Sequence, residues 1–383
     1  MKRDRKIIYL AGFLVSVPVA LMSYINSSFL STFIDPKLVG LVYISGSVFS
    51  LFLLFIAPKI FKSLGGYKFL LLMVGLDALS IISFAFSRSA TAAICAFICT
   101  FALNVIVFFS LDELLKIFSK DSSTGEIRGA YLTLCNLSWV IAQLASATVF
   151  GNFSVRTIYV IAFLVMSAFF LLVYSQLKNI PDPKYDSLKS LNYVNDFLKH
   201  KNIVRAYMIN FLLQFFYCWM VIYTPIYLYQ YLGFSWKQIA MIFTIMLLPF
   251  VFVEFPLGKF SDKIGERKIL MFGFFIASAS TLSLFFIQSK EIWTWAILLF
   301  LTRLGAATIE VMSDSYFFKH IKPENEEFIS IYRTANPLSY IIGPLLALLT
   351  FAFVPNFNFI FPILATLMLF GVYLASTIQK NDL

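Results

Sequence analysis

Long apolar runs broken by short polar stretches dominate the chain, and windows of about 20 residues, the length that crosses a bilayer core, select twelve of them. They lie near 7–27, 38–57, 68–87, 91–111, 129–150, 156–177, 204–228, 237–257, 268–288, 291–312, 328–352 and 356–378. A backbone in lipid has to satisfy its own hydrogen bonds, so each run predicts a helix. Prolines and glycines within the runs (Pro18, Pro225, Pro249, Pro337, Gly343, Pro344) predict bends rather than breaks. The expected fold class is an all-α integral membrane protein of twelve transmembrane helices.

The one long polar interruption, 178–203, reads KNIPDPKYDSLKSLNYVNDFLKHKNI and separates six spans from six. Shifting the chain by 200 positions places Gly65 on Gly265, Lys68 on Lys268, Glu126 on Glu326 and Asn136 on Asn336. Matched span lengths and these coincidences predict two pseudo-symmetric six-helix bundles, 1–177 and 204–383, joined by a linker over 178–203. Paired repeats with a site between them are a common transporter plan.

Composition agrees. Sixty per cent of the 383 residues are apolar and 13% are charged, half the charge a soluble chain carries. Of the 30 Lys and Arg residues, twenty-three fall in the segments on the side of the amino terminus and five on the other, with Arg303 and Arg333 inside spans. By the positive-inside rule both termini are cytoplasmic, and a multi-pass plasma (inner) membrane protein is expected. The net charge of +10 then reflects topology and calls for no nucleic-acid partner. Lipid is the surrounding medium, and a monomer is expected. The first apolar stretch is too long for a secretory signal and leads directly into eleven more, so it reads as the first span. Cys95, Cys99, Cys135 and Cys218 fall inside spans with no histidine nearby to complete a metal set, and read as apolar filler. There is no phosphate-binding loop, cofactor motif or catalytic constellation, which disfavours a pump or an enzyme.

The densest charge lies in PLGKFSDKIGERK, residues 256–268. Gly258, Asp262, Lys263, Gly265, Arg267 and Lys268 resemble the loop signature of the major facilitator superfamily, G-x-x-x-D-[RK]-x-G-x-[RK]-[RK]. TPIYLYQYLGFSWKQIA (224–240) resembles that family's seventh helix and outer turn, and TRLGAATIE (302–310) resembles its arginine-containing helix motif. The resemblance implies a secondary active transporter that moves a small organic solute by alternating access. In that family the loop is a cytoplasmic gate: Gly258 would allow a close helix approach, Gly265 a tight turn, and Asp262 would face the start of the fifth span, where Arg128 is the expected partner. The first-half copy, PKIFKSLGGYK (58–68), departs from the pattern, with Lys62 in place of the acid. The expected compensation is a contact from Lys62 to Glu326 or Glu327, which open the eleventh span.

Ionisable groups in hydrocarbon are costly and mark function. Arg303, Glu310 and Asp314 share one stripe of the tenth span, with Arg303 and Glu310 about 10 Å apart along the axis, so another partner or water is expected for each. Their alternative role is a static ion network. Asp77, midway along the third span, suits a proton relay or a neutral hydrogen bond, and Glu254 suits the loop's ion network. Asn210, Gln214 and Tyr217 share a face of the seventh span. Asn104 lies one turn from Thr100 on the fourth, Asn136 and Gln143 are on the fifth, and Asn336 is on the eleventh. The family resemblance puts spans 1, 4, 7 and 10 around the cavity, where amides and tyrosines suit a polar, largely uncharged solute; helix–helix hydrogen bonding is their alternative role. Glu310 and Asp77 would carry protons if the chain is a proton-coupled symporter. Without coupling it would be a facilitator of a polar solute such as a sugar. The altered first-half loop favours a third role, a non-transporting sensor or lipid-handling protein.

Overall fold

The computed structural model describes residues 2–23, 25–30, 32–34, 39–117, 124–149, 155–178, 193–321, 327–354 and 356–378. Among them every regular element is helical. The helices are α1 (Lys2–Ser23), α2 (Asn26–Leu30), α3 (Val39–Leu64), α4 (Gly66–Ala85), α5 (Ala90–Lys116), α6 (Thr124–Val149), α7 (Val155–Gln176), α8 (Tyr193–Lys199), α9 (Lys201–Ile226), α10 (Trp236–Ile264), α11 (Arg267–Phe286), α12 (Ile292–His320), α13 (Phe328–Arg333), α14 (Ala335–Phe353) and α15 (Ile360–Thr377).

Eleven helical spans among the described residues are long and apolar enough to cross a membrane. The twelfth expected span, 129–150, is occupied by the 26-residue α6, which is longer than a bilayer core requires but carries Glu126, Arg128, Asn136 and Gln143. Several helices outrun their apolar windows. α3 continues through Pro58 to Leu64, α5 to Lys116, α10 to Ile264 and α12 to His320. Hydropathy marks the stretch that lies in hydrocarbon, whereas backbone hydrogen bonding carries the helix on into the polar layer. Phe252, Phe286 and Phe353 are exposed on such spans, the outward-facing bulk expected of a chain solvated by lipid.

The chain forms two compact units. The first holds residues 1–119, 134–194 and 322–337; the second holds 120–133, 195–321 and 338–383. In the first, α5 packs on α3, α4 and α1, and α7 packs on α1 and α4. In the second, α12 packs on α10, α11 and α9, and α15 packs on α9 and α11. The neighbour pattern is the same under the substitution α1→α9, α3→α10, α4→α11, α5→α12, α7→α15, so the 200-residue repeat read from the sequence is a structural repeat. Gly65 and Gly265 make the point locally. They have φ of 80° and 77°, the left-handed region that favours glycine, and each turns the chain into the helix that follows.

Small residues bring helices together within the second unit. A Cβ at Gly305 would lie 2.6 Å from the carbonyl oxygen of Gly273 and from the amide nitrogen of Ala277, so α11 and α12 meet backbone to backbone. The same holds for α6 and α10: a Cβ at Gly129 would lie 2.7 Å from the Glu254 carbonyl oxygen, and one at Gly258 would overlap the carbonyl of Gly125. Gly258 therefore serves the close approach expected of it. Gly258→Ala is expected to cost about 1–3 kcal/mol through overpacking. Gly40→Ala, where an added Cβ meets nothing within 4 Å, is expected to be close to neutral. Thermal unfolding of the two detergent-solubilised variants checks the contrast, and equal midpoints would refute it.

Candidate functional site

α9 and α12 are neighbours in the second unit, and their facing side chains bring Arg303, Tyr217 and Glu310 together. Arg303 on α12 is buried, with its guanidinium carbon 5.2 Å from the centre of the Phe216 ring and 5.4 Å from that of Tyr217. The Tyr217 hydroxyl donates to Glu310 Oε2 at 2.6 Å. One tyrosine thus spans the axial separation of Arg303 and Glu310: its face lies beneath the cation and its hydroxyl is on the acid. A cation over an aromatic face and a hydroxyl bonded to a carboxylate are both strengthened away from water.

The same face of α9 continues through Gln214, whose Nε2 donates to Asn210 Oδ1 at 3.4 Å, a long bond on a buried Asn210. Glu254 on α10, expected in the loop's ion network, is fully buried and within electrostatic reach of Tyr217. Below this group α9 is fastened to α14, because Trp219 Nε1 donates to the Gly343 carbonyl at 2.9 Å.

The remaining candidates lie elsewhere. Asp77 and Asn104 belong to the first unit, on α4 and α5, and Asn336 opens α14 among the residues grouped with that unit. Lys263 and Arg267 are exposed beside Gly265. Asp262 is in the last turn of α10, and its side chain lies outside the described residues, as does Glu326. Glu327 precedes α13, and α13 packs on α3, whose last turn carries Lys62.

Arg128, expected to meet Asp262, pairs with Asp314 of α12 and lies over the Phe318 ring at 3.9 Å. Its symmetry counterpart escaped the sequence reading: Arg333 of α13 pairs with Asp112 of α5. Asp112 and Asp314 are 202 positions apart and Arg128 and Arg333 are 205 apart, so the two ion pairs are one feature repeated. The 200-residue shift would have found both had it been allowed a few positions of slack. A further buried pair, Lys319 Nζ to Glu266 at 2.6 Å, ties the end of α12 to the start of α11.

Residues 203–381 match the sequence profile of the Major Facilitator Superfamily. The whole fold also matches a crystal structure of the human organic anion transporter MFSD10 (TETRAN), with a TM-score of 0.79 at 14% identity over 98% of this chain and 99% of that one. The chain has the fold of the major facilitator superfamily, and its second half carries that superfamily's sequence profile. No curated protein matches it in sequence. The profile match and the fold support a multi-pass membrane transporter, and the Gly258–Lys268 loop, which resembles that superfamily's signature, lies within the matched residues where α10 gives way to α11.

Proposed function

We propose that the protein is a secondary transporter that moves a small organic solute bearing an acidic group, with Glu310 as the proton carrier of a symport. The observation that carries this is Tyr217 held between the Arg303 cation and the Glu310 carboxylate. A solute acid group competes for Arg303 through a two-pronged guanidinium contact, and the Phe216 and Tyr217 rings beside it suit an apolar body. Movement of Tyr217 would then pass the arrival of the solute to the proton on Glu310. The structural neighbour is by its title an organic anion transporter, which agrees with a cation at this place.

In this proposal residues 1–177 and 204–378 rock about a central site, in a plasma membrane with both termini cytoplasmic, and the protein works as a monomer. The ion pairs Arg128–Asp314 and Asp112–Arg333 each join a helix from one half of the sequence to a helix from the other. They are the contacts that would break and re-form as the cytoplasmic side opens and closes.

A thermal-shift screen of the purified protein against organic acids, sugars, amino acids, nucleosides and drugs at two pH values tests the proposal. The expected result is a saturable rise in the unfolding midpoint with an organic acid, larger at the lower pH and lost in Arg303→Ala. A rise with neutral sugars alone and no pH dependence would make the protein a facilitator. No response to any solute would favour a sensor.

A further inference from the structure

The first unit contains a second polar group, independent of the solute site. Three contacts fix the register of the antiparallel helices α4 and α5. The Phe84 and Phe97 rings are 5.8 Å apart, Thr100 Oγ1 donates to Ser80 Oγ at 2.7 Å, and a Cβ on Gly66 would lie 3.1 Å from the Leu114 side chain. The paired numbers sum to 180 or 181, which places Asp77 level with Leu103 and Asn104. Asp77 and Ser80 share one stripe of α4, Thr100 and Asn104 share one stripe of α5, and the two stripes face each other through the Ser80–Thr100 bond.

The shorter hydrogen bonds here bypass the carboxylate. Thr100 donates to Ser80, and Ser80 donates to the Asp77 backbone carbonyl at 2.9 Å, leaving only a 3.5 Å contact to Oδ1. Asp77 is 0% exposed, and its Oδ2 and the buried Oδ1 of Asn104 have no hydrogen-bond partner among the described residues. Nor is a cation near along these helices. On α4 the nearest basic residue is Lys68, nine residues or about 13 Å away; on α5 it is Lys116 at the far end, and on the packed α7 it is Arg156 at the first turn. The result is a carboxylate oxygen and a carboxamide oxygen without donors, beside two hydroxyls whose protons are already given to other oxygens and whose lone pairs remain. A buried acceptor set of this kind is the lining that a positive ligand would satisfy.

We propose that Asp77, Ser80, Thr100 and Asn104 form a sodium-binding site between α4 and α5. Oxygen donors suit a hard cation. The single carboxylate balances a single charge, whereas dedicated divalent sites gather several carboxylates and carbonyls. Coupling ions in transporters of this type bind near the bilayer midplane, and Asp77 is the twelfth of the 20 residues of α4.

Heating the purified full-length protein in detergent along a sodium chloride series, with choline chloride holding ionic strength constant, tests the site. The unfolding midpoint of the wild type should rise saturably with sodium up to about 150 mM and not with choline. Asp77→Asn should remove the response. Thr100→Val and Asn104→Leu should each raise the half-saturating sodium concentration about tenfold or more, and they carry the test if Asp77→Asn fails to fold. A wild type indifferent to sodium, or a response that survives in Asp77→Asn, would overturn the assignment. So would stabilisation that follows pH alone and depends on Asp77, because the ligand would then be a proton.

Discussion

Asp314→Asn should lower the unfolding midpoint of the detergent-solubilised protein far more than Asp112→Asn. Both acids are buried and both hold an arginine, so a count of ion pairs predicts equal losses. The difference lies in what each substitution leaves behind. Without Asp314 the Arg128 side chain, 1% exposed, loses an acceptor of its guanidinium among Phe318 and Tyr131 and cannot turn to water in exchange. Removing one partner of a buried pair costs about 3–5 kcal/mol. Without Asp112 the Arg333 side chain, already 25% exposed, can swing its guanidinium into solvent, and the loss should be roughly half as large or less. The double variant Arg128→Gln/Asp314→Asn removes both charges and should recover most of the stability, since neutralising a buried pair together is often close to neutral. Equal losses in the two single variants, or a double variant no better than Asp314→Asn, would show that these charges are solvated in a way their burial does not indicate.

These pairs also mark where the sequence stops being legible. Apolar runs located the spans because lipid admits only helices whose own backbone bonds are satisfied. The 200-residue shift located Gly65 and Gly265, since a left-handed turn leaves little choice of residue. Charge, however, reads as solvent until its partner is known. Glu126 and Arg128 push the apparent start of the fifth span to residue 129, whereas α6 begins at Thr124 and buries Arg128. Asp112 resembles the wet end of a span, yet it is 0% exposed because Arg333, 221 positions later, covers it. Spacing alone puts Tyr217 on one face of its helix with Asn210 and Gln214. Its role as the link between Arg303 and Glu310 depends on how α9 packs on α12, which no local pattern encodes.

That link carries the second large effect. In proteoliposomes loaded with an imposed proton gradient, Glu310→Gln should abolish gradient-driven uptake of the solute found by the thermal-shift screen while leaving solute exchange without a gradient measurable. The amide keeps the shape and still accepts from the Tyr217 hydroxyl, but it cannot take up and release a proton at working pH, so only the coupled step is lost. Tyr217→Phe separates the two functions of the tyrosine. It keeps the ring under Arg303 and removes the donor to Glu310. A hydrogen bond to a charged group is worth about 1.5–3 kcal/mol, so coupled uptake should fall by roughly 10- to 100-fold while solute affinity changes little. Arg303→Lys tests the other end: the charge stays but the planar fork is lost, so affinity for an acidic solute should weaken whereas the response of residual uptake to the gradient persists. The pattern across the three variants decides the matter, because a merely structural ion network would lower the unfolding midpoint in all of them and affect binding and coupling together. If Glu310→Gln still accumulates solute against its gradient, the proton travels elsewhere and the proposed chain from Arg303 through Tyr217 to Glu310 is a brace for α12.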